Sequence, residues 1–203
     1  MNTKKVVALA LALVMLLSVL TGCSNNNSAP ANTETTGTQT GNTDYTYLFR
    51  DLPEAKYITA ATDFAGGTGT EADPYQIADA AQLALLHEKM VAEHKELKSN
   101  YKDAYYVLTA DIALNDTADF ENWENTAPAY AWMPIGFNDI SFDGVFDGNG
   151  HTVSGLYINT NCTDNTANYG LFDTVVGTVK NVKIDKSYVA VSGKTCGVGT
   201  VAG

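Results

Sequence analysis

His87 and His94 are the residues that most invite a metal. The stretch His87-Glu88-Lys89-Met90-Val91-Ala92-Glu93-His94 holds two imidazoles and two carboxylates. A zinc-protease helix needs its histidines four residues apart, so that both reach one ion from the same face. Here position 91 is Val and the histidines stand seven residues apart, about two turns and roughly 10 Å along a helix axis. The reversed motif fails as well, because position 90 is Met. The stretch reads as the solvated face of an amphipathic helix, and no metal or cofactor is assigned to it.

Asp143, Asp147 and Asp173 are the other candidates. Polysaccharide cleavage uses two carboxyl groups at a defined separation. Each of these aspartates, however, sits beside Gly or in a Gly/Asn-rich turn, where Asp is favoured because its side chain bonds the local backbone. Asp147-Gly148-Asn149-Gly150 also has the flavour of a calcium loop. An EF-hand would place a Glu eleven residues after its first Asp, and that position is Ile158. Turn formation is the expectation for all three, and no catalytic residue is assigned. No Ser/His/Asp arrangement, phosphate loop or dinucleotide fingerprint occurs.

Four aromatic residues, Trp123, Tyr130, Trp132 and Phe137, lie in the loop-rich stretch 120–138. Exposed aromatic rings stack on sugars, so these four are the candidate glycan contacts. Packing against the side of the fold is the competing expectation.

Cys23 is the remaining reactive group. Lys4 and Lys5 precede an apolar run from Val6 to Leu20 broken only by Ser18. The run suits a signal-peptide core better than a spanning helix, which needs roughly 20 apolar residues. It ends in Leu20-Thr21-Gly22-Cys23, which looks like a lipobox, the site where a bacterial lipoprotein is cut and its cysteine lipidated. The expectation is therefore a signal peptide over 1–22 and a lipid anchor on Cys23. The protein would sit on a membrane, outside the cytoplasm. Residues 24–44 contain no aromatic residue and no aliphatic side chain larger than Ala. Such a segment buries too little to offset its ordering entropy and reads as a flexible tether with a reach of about 25 Å.

Residues 45–203 are long enough for one domain with a real core. The whole chain carries −11, and loss of Lys4 and Lys5 with the signal leaves −13. A phosphate backbone calls for a basic surface, so nucleic acid is not an expected partner. Cys162 and Cys196 could pair in an oxidising compartment, although two thiols fix no disulfide.

The elements that must position these residues are one helix and many short strands. Asp79 is a candidate N-cap with Gln82 as its capping-box partner. Leu83, Leu86, Met90, Val91, His94 and Leu97 follow at helical spacing, giving a helix over about 80–98. Pro74-Tyr75-Gln76-Ile77 reads as a short strand. After the helix, strands alternate with Gly, Asn and Asp turns. Thr152-Val153-Ser154-Gly155-Leu156-Tyr157-Ile158 aligns with Thr178-Val179-Lys180-Asn181-Val182-Lys183-Ile184 at an offset of 26. The apolar slots are Val153/Val179, Leu156/Val182 and Ile158/Ile184, spaced three and then two. A flat strand keeps period two, so a bend is expected at Gly155 and Asn181, residues that tolerate left-handed backbone. Val107, Ala110 and Ile112 share the spacing, and Tyr169-Gly170-Leu171-Phe172 matches Cys196-Gly197-Val198-Gly199 at offset 27. Recurrent bent strands predict a solenoid with apolar ladders inside. A β-sandwich of hairpins is the alternative.

The segments Trp132–Gly136, Phe142–Ile158, Tyr169–Phe172 and Gly177–Val182 resemble the GLUG-motif repeat proteins. Phe64–Ile77 is similar to the segment that often leads into such repeats. The resemblance covers about 64–203. It implies a right-handed parallel β-helix on a bacterial surface protein, often adhesin-like, and it brings no agreed catalytic residues. The last copy departs from the pattern at Cys196-Gly197-Val198-Gly199.

The expected molecule is thus mainly β, a parallel β-helix capped at its N-terminal end by one helix. It would be a cell-surface lipoprotein serving adhesion or ligand binding, with a glycan or surface protein as partner. An extracellular polysaccharide-degrading enzyme and a passive spacer within a larger surface protein are the other readings. The stretch 193–203 carries only one charge, Lys194, and no proline. It is expected to leave an open last coil, incomplete or able to self-associate.

Overall fold

The structure, a computed structural model, describes residues 56–96, 100–136, 140–162 and 167–203. Cys23, the expected signal peptide and tether, Phe137, the expected helix end at Lys98 and the side chain of His94 lie outside the described residues. Among the described residues the molecule is mostly strand, with one α-helix.

Strand β1 (Tyr75–Ile77) leads into helix α1 (Ala80–Glu96). The helix starts where expected. Asp79 Oδ1 accepts the Gln82 amide at 2.8 Å, and Gln82 Oε1 accepts the Ala78 amide at 2.8 Å. These reciprocal bonds satisfy two backbone donors at the helix entrance. Leu83, Leu86, Met90 and Val91 form its buried face. At the far end Glu93 accepts Asn100 Nδ2 at 2.8 Å and the Tyr101 amide at 2.6 Å. That tie fixes the helix to the chain entering β2 (Tyr105–Leu108).

Ten further strands follow the helix. After β2 come β3 (Ile112–Ala113), β4 (Val145–Asp147), β5 (Thr152–Ser154) and β6 (Tyr157–Cys162). Then come β7 (Asn168–Tyr169), β8 (Thr178–Lys180), β9 (Lys183–Asp185), β10 (Tyr188–Gly193) and β11 (Gly197–Val198). They build small sheets ordered β1-β2-β4-β8, β3-β5-β9, β6-β10 and β7-β11. Every pairing between these strands is parallel. No hairpin joins them, contrary to the β-sandwich alternative. Isolated parallel bridges add Ile135 to Phe172, Phe172 to Ala202 and Phe142 to Val175.

Parallel pairing puts like positions of successive strands over one another, about 4.8 Å apart. The core follows from that geometry. Phe146 pairs with Tyr106 on one side and Val179 on the other. Val153 lies between Ile112 and Ile184. Tyr106, Phe142, Phe146 and Phe172 are all fully buried. Their ring centroids stand 5.1 to 5.9 Å apart along the chain of contacts Tyr106–Phe142–Phe172–Phe146. Such tilted and edge-on pairs add to the burial energy of each ring.

The register differs from the one the repeat predicts. Val153 faces Ile184, not Val179; Val179 faces Phe146. Ile158 faces Val189, not Ile184. Tyr169 faces Val198, an offset of 29 instead of 27. The bends themselves are where expected, with φ of 77° at Gly155 and 54° at Asn181. They belong to different corners, however. Gly155 follows Ser154 as Lys186 (φ 45°) follows Asp185, its register partner. Asn181 instead follows β8 where Gly148-Asn149-Gly150 follows β4. Phe146 to Val153 spans seven residues, against five from Val179 to Ile184. The two extra residues fold into the Gly148–Gly150 turn, where a Cβ on Gly148 would lie 2.4 Å from Val182 Cα. The same strand–bend–strand sequence thus serves two corners, and the alignment matched one to the other. Val107 is likewise not an inward residue; Tyr106, Leu108, Ile112 and Leu114 are buried.

His87 reverses its expected place. It stands four residues after Leu83 and so shares the apolar face of α1. It is 4% exposed, with Nδ1 2.6 Å from Pro134 O. Burial pulls its pKa from 6.5 down to about 4, against the opposing backbone hydrogen bonds at Pro134 and Gly136.

Two outcomes follow. Leu156 is fully buried, so Leu156→Asp removes an apolar contact and leaves a carboxylate without water. The combined cost of several kcal/mol should abolish the cooperative transition in chemical denaturation, and a native-like midpoint would contradict this packing. For His87, the unfolded chain binds a proton below about pH 6.5 that the folded chain refuses until about pH 4. Stability should be complete above that window and fall through it by about 3 kcal/mol. His87→Asn should flatten this fall in denaturation series at pH 7, 6 and 5; parallel curves for both proteins would show His87 uninvolved.

Candidate functional site

The three aspartates all take local roles. Asp147 Oδ1 accepts the Asn149 amide at 2.8 Å, an Asx turn, and Asn181 Nδ2 at 3.0 Å. Its other oxygen lies 3.3 Å from Lys180 Nζ. Asp143 accepts Lys102 Nζ and Ser141 Oγ. At both residues burial works to raise the pKa, but these hydrogen bonds outweigh it and hold the carboxyl below the usual range. A general acid for glycoside cleavage needs the opposite shift. Asp173 is 1% exposed and accepts Thr174 Oγ1 at 2.9 Å and Asn168 Nδ2 at 3.3 Å. Asn168 Oδ1 in turn accepts the Gly197 amide at 3.2 Å, so this carboxylate supports the β7–β11 pairing. Among the described residues no three His, Cys, Asp or Glu side chains converge as a metal site. Cys162 lies in the core and Cys196 packs against it.

The aromatic candidates are not one exposed group. Trp132 is 3% exposed in the main core, and its Nε1 donates to Leu171 O at 3.1 Å. Trp123 is also 3% exposed. It sits just after a 3-10 turn over Phe120–Asn122, within a long loop between β3 and the Ala131 bridge. Tyr130 is 40% exposed. The ends of that loop are clamped by Asn115. Its Oδ1 accepts the Tyr130 amide at 2.9 Å, while its Nδ2 donates to Tyr130 O at 2.8 Å and Gly155 O at 2.9 Å.

Trp123 instead marks a second, outward aromatic cluster. Tyr57 bridges Ala131 in parallel. Trp132 N donates to Tyr157 O at 2.8 Å, which sets Ala131 beside Tyr157, and Tyr157 pairs with Tyr188. Tyr57, Ala131, Tyr157 and Tyr188 therefore form one outward column. Trp123 stands edge-on to Tyr157 at 5.8 Å and 90°. Tyr188 stacks on the other face of the cluster, 5.5 Å and 17° from Tyr157. Burial in this cluster pushes the Tyr57 phenol up to about 12. Tyr157 and Tyr188 are absent from the aromatic set the loop composition points to. Their signal is the recurrence of Tyr-Ile at 157–158 as Tyr-Val at 188–189, 31 residues on.

The column opens onto the longest strand pair, β6–β10, six residues on each side. Ile158 and Cys162 of β6 and Val189 and Val191 of β10 pack into the core. The alternate residues Asn159, Asn161, Ala190 and Ser192 point the other way. Neither strand contains a charged residue.

No protein-family model matches the chain, and no solved structure matches it. Among curated proteins, it is 33% identical over 145 residues to a protein of Evansella cellulosilytica described as a Gly-rich membrane protein, covering 69% of this chain and 14% of that protein. It is 30% identical over 145 residues to the halomucin of Haloquadratum walsbyi, covering 71% of this chain and 1% of that protein. The chain thus spans only a small part of the length of these relatives.

Proposed function

We propose that this chain is a lipid-anchored surface protein whose strands wind as a parallel β-helix of the GLUG-motif kind, and that it binds a ligand without turning it over. The observation that carries the reading is the parallel register. Strands separated by 29 to 41 residues pair in order, and each sheet repeats the same inward and outward assignment. Coils stacked in this way present long, regular outer faces suited to display. The lipobox-like Leu20–Cys23 supplies the anchor in this reading. The name of the Evansella relative, a membrane protein, agrees with that placement.

Non-catalytic binding is supported by the carboxylates. Asp143 and Asp147 are held ionised by lysines and backbone turns, and Asp173 is committed to Asn168 and Thr174. None is set up as a proton donor.

Fractionation of a bacterial host expressing the full chain tests the reading. The protein should take up labelled fatty acid, stay with the membranes and resist no externally added protease. Cys23→Ala should lose the label and leave the membrane fraction. Equal labelling of both proteins would refute the anchor. Reproducible polysaccharide cleavage abolished by Asp143→Asn or Asp147→Asn would refute binding without turnover.

A further inference from the structure

We propose that the outward face of β6 and β10 binds an uncharged polysaccharide chain, with Tyr188 as its aromatic contact. The inference rests on the reading of the protein as a non-catalytic binder and gives that reading a place and a ligand class.

Three features of the face converge. The first is an aromatic platform with one open side. Tyr157 is 5% exposed, covered by Trp123 and Tyr188. Tyr188 is only partly buried, because the stack has nothing over its next position among the described residues. A ring held flat by a stacked neighbour loses little freedom when a sugar lies on it. The C–H face of a pyranose gains dispersion contact there while its rim hydroxyls stay wet.

The second feature is the row of short neutral side chains running on from that ring. Asn159 Nδ2 donates to the Tyr157 hydroxyl at 3.3 Å. Ser192 Oγ donates to Asn161 Oδ1 at 3.4 Å. These are long hydrogen bonds, readily exchanged for ligand hydroxyls, and amides and hydroxyls both donate and accept as a sugar hydroxyl does. Asn161 and Ser192 are exposed, whereas Ala190 keeps the middle of the row flat.

The third feature is charge. The chain carries −11 over 203 residues, yet the twelve residues of β6 and β10 carry none. The nearest lysine before β10, Lys186, reaches back to Thr117 Oγ1 at 3.4 Å. That contact fastens the Trp123 loop beside the face. A polyanion would find no cation row on this sheet, and a protein ligand would find little apolar area to bury. A neutral glycan matches both the ring and the amide row.

Affinity electrophoresis of the full chain through gels containing hydroxyethyl cellulose, glucomannan or xylan tests this, with polygalacturonate as the anionic arm. At least one neutral polymer should retard the protein, and polygalacturonate should not. Tyr188→Ala should weaken that retardation by about tenfold or more, and Asn159→Ala with Asn161→Ala by several-fold. Tyr130→Ala, outside the face, should leave it unchanged. Circular dichroism establishes that each variant is folded. If Tyr188→Ala unfolds, Ser192→Trp, which crowds the row from an exposed position, must abolish retardation instead. Neutral-polymer binding that persists in these variants overturns the assignment of the face and leaves the binding function standing. Retardation by polygalacturonate alone overturns the ligand class. Retention by none of the polymers overturns the inference together with the glycan reading.

Discussion

The rest of the structure depends on the parallel backbone ladder between strands about one turn of chain apart. A parallel pair fixes neighbouring residues at one spacing and on one side, so each inward side chain rests on another of the same kind. Tyr106, Phe146 and Val179 are one such row, and Ile112, Val153 and Ile184 are another. The corners follow from the same demand. The chain must turn without leaving the register, and it does so with left-handed residues at Asn149, Gly155, Asn181 and Lys186. At Gly155 a side chain is excluded twice, by φ and by the Asn115 backbone 2.8 Å from where a Cβ would stand. The helix closes one end of the core through its Leu83, Leu86 and Met90 face.

Inward rows make the core, and the same rule makes the outer faces. Tyr157 over Tyr188 is an outward row as regular as any inside. Outside, however, there is room for an insertion. The loop held by Asn115 brings Trp123 onto the row and so buries Tyr157, which a bare coil would leave exposed. Burial rises and falls along the rows in the manner this geometry requires. Val153 and Ile158 are 0% and 1% exposed, while their partners Ile184 and Val189 are only partly buried, having a described strand on one side alone.

Much of this was legible in the sequence, at the level of local chemistry. The cap at Asp79 and Gln82, the helix, the strand before it and the left-handed bends all follow from residue type and spacing. Register was not legible, because a short apolar pattern around a bend describes any corner. Seven residues between Phe146 and Val153 against five between Val179 and Ile184 cannot be inferred without knowing where Gly148–Gly150 folds. At the candidate site the error was one of direction. Trp123 and Trp132 are conspicuous by type, yet one faces the core and the other lies under its own loop. His87 was weighed for its chemistry, whereas its position four residues from Leu83 governs where it points. Tyr188 was hidden because its significance lies in the partner 31 residues before it.

The central claim is the stacking of strands in the observed register, and engineered cysteine pairs test it most directly. Thr152 and Lys183 are outward-facing register partners on β5 and β9. Adjacent parallel strands bring such Cα atoms within the range a disulfide spans. Thr152→Cys with Lys183→Cys should cross-link readily in the folded chain on mild oxidation, as read by peptide mapping. Thr152→Cys with Thr178→Cys, the pair the repeat alignment would set together, should not. Cross-linking of the second pair in preference to the first would contradict the account.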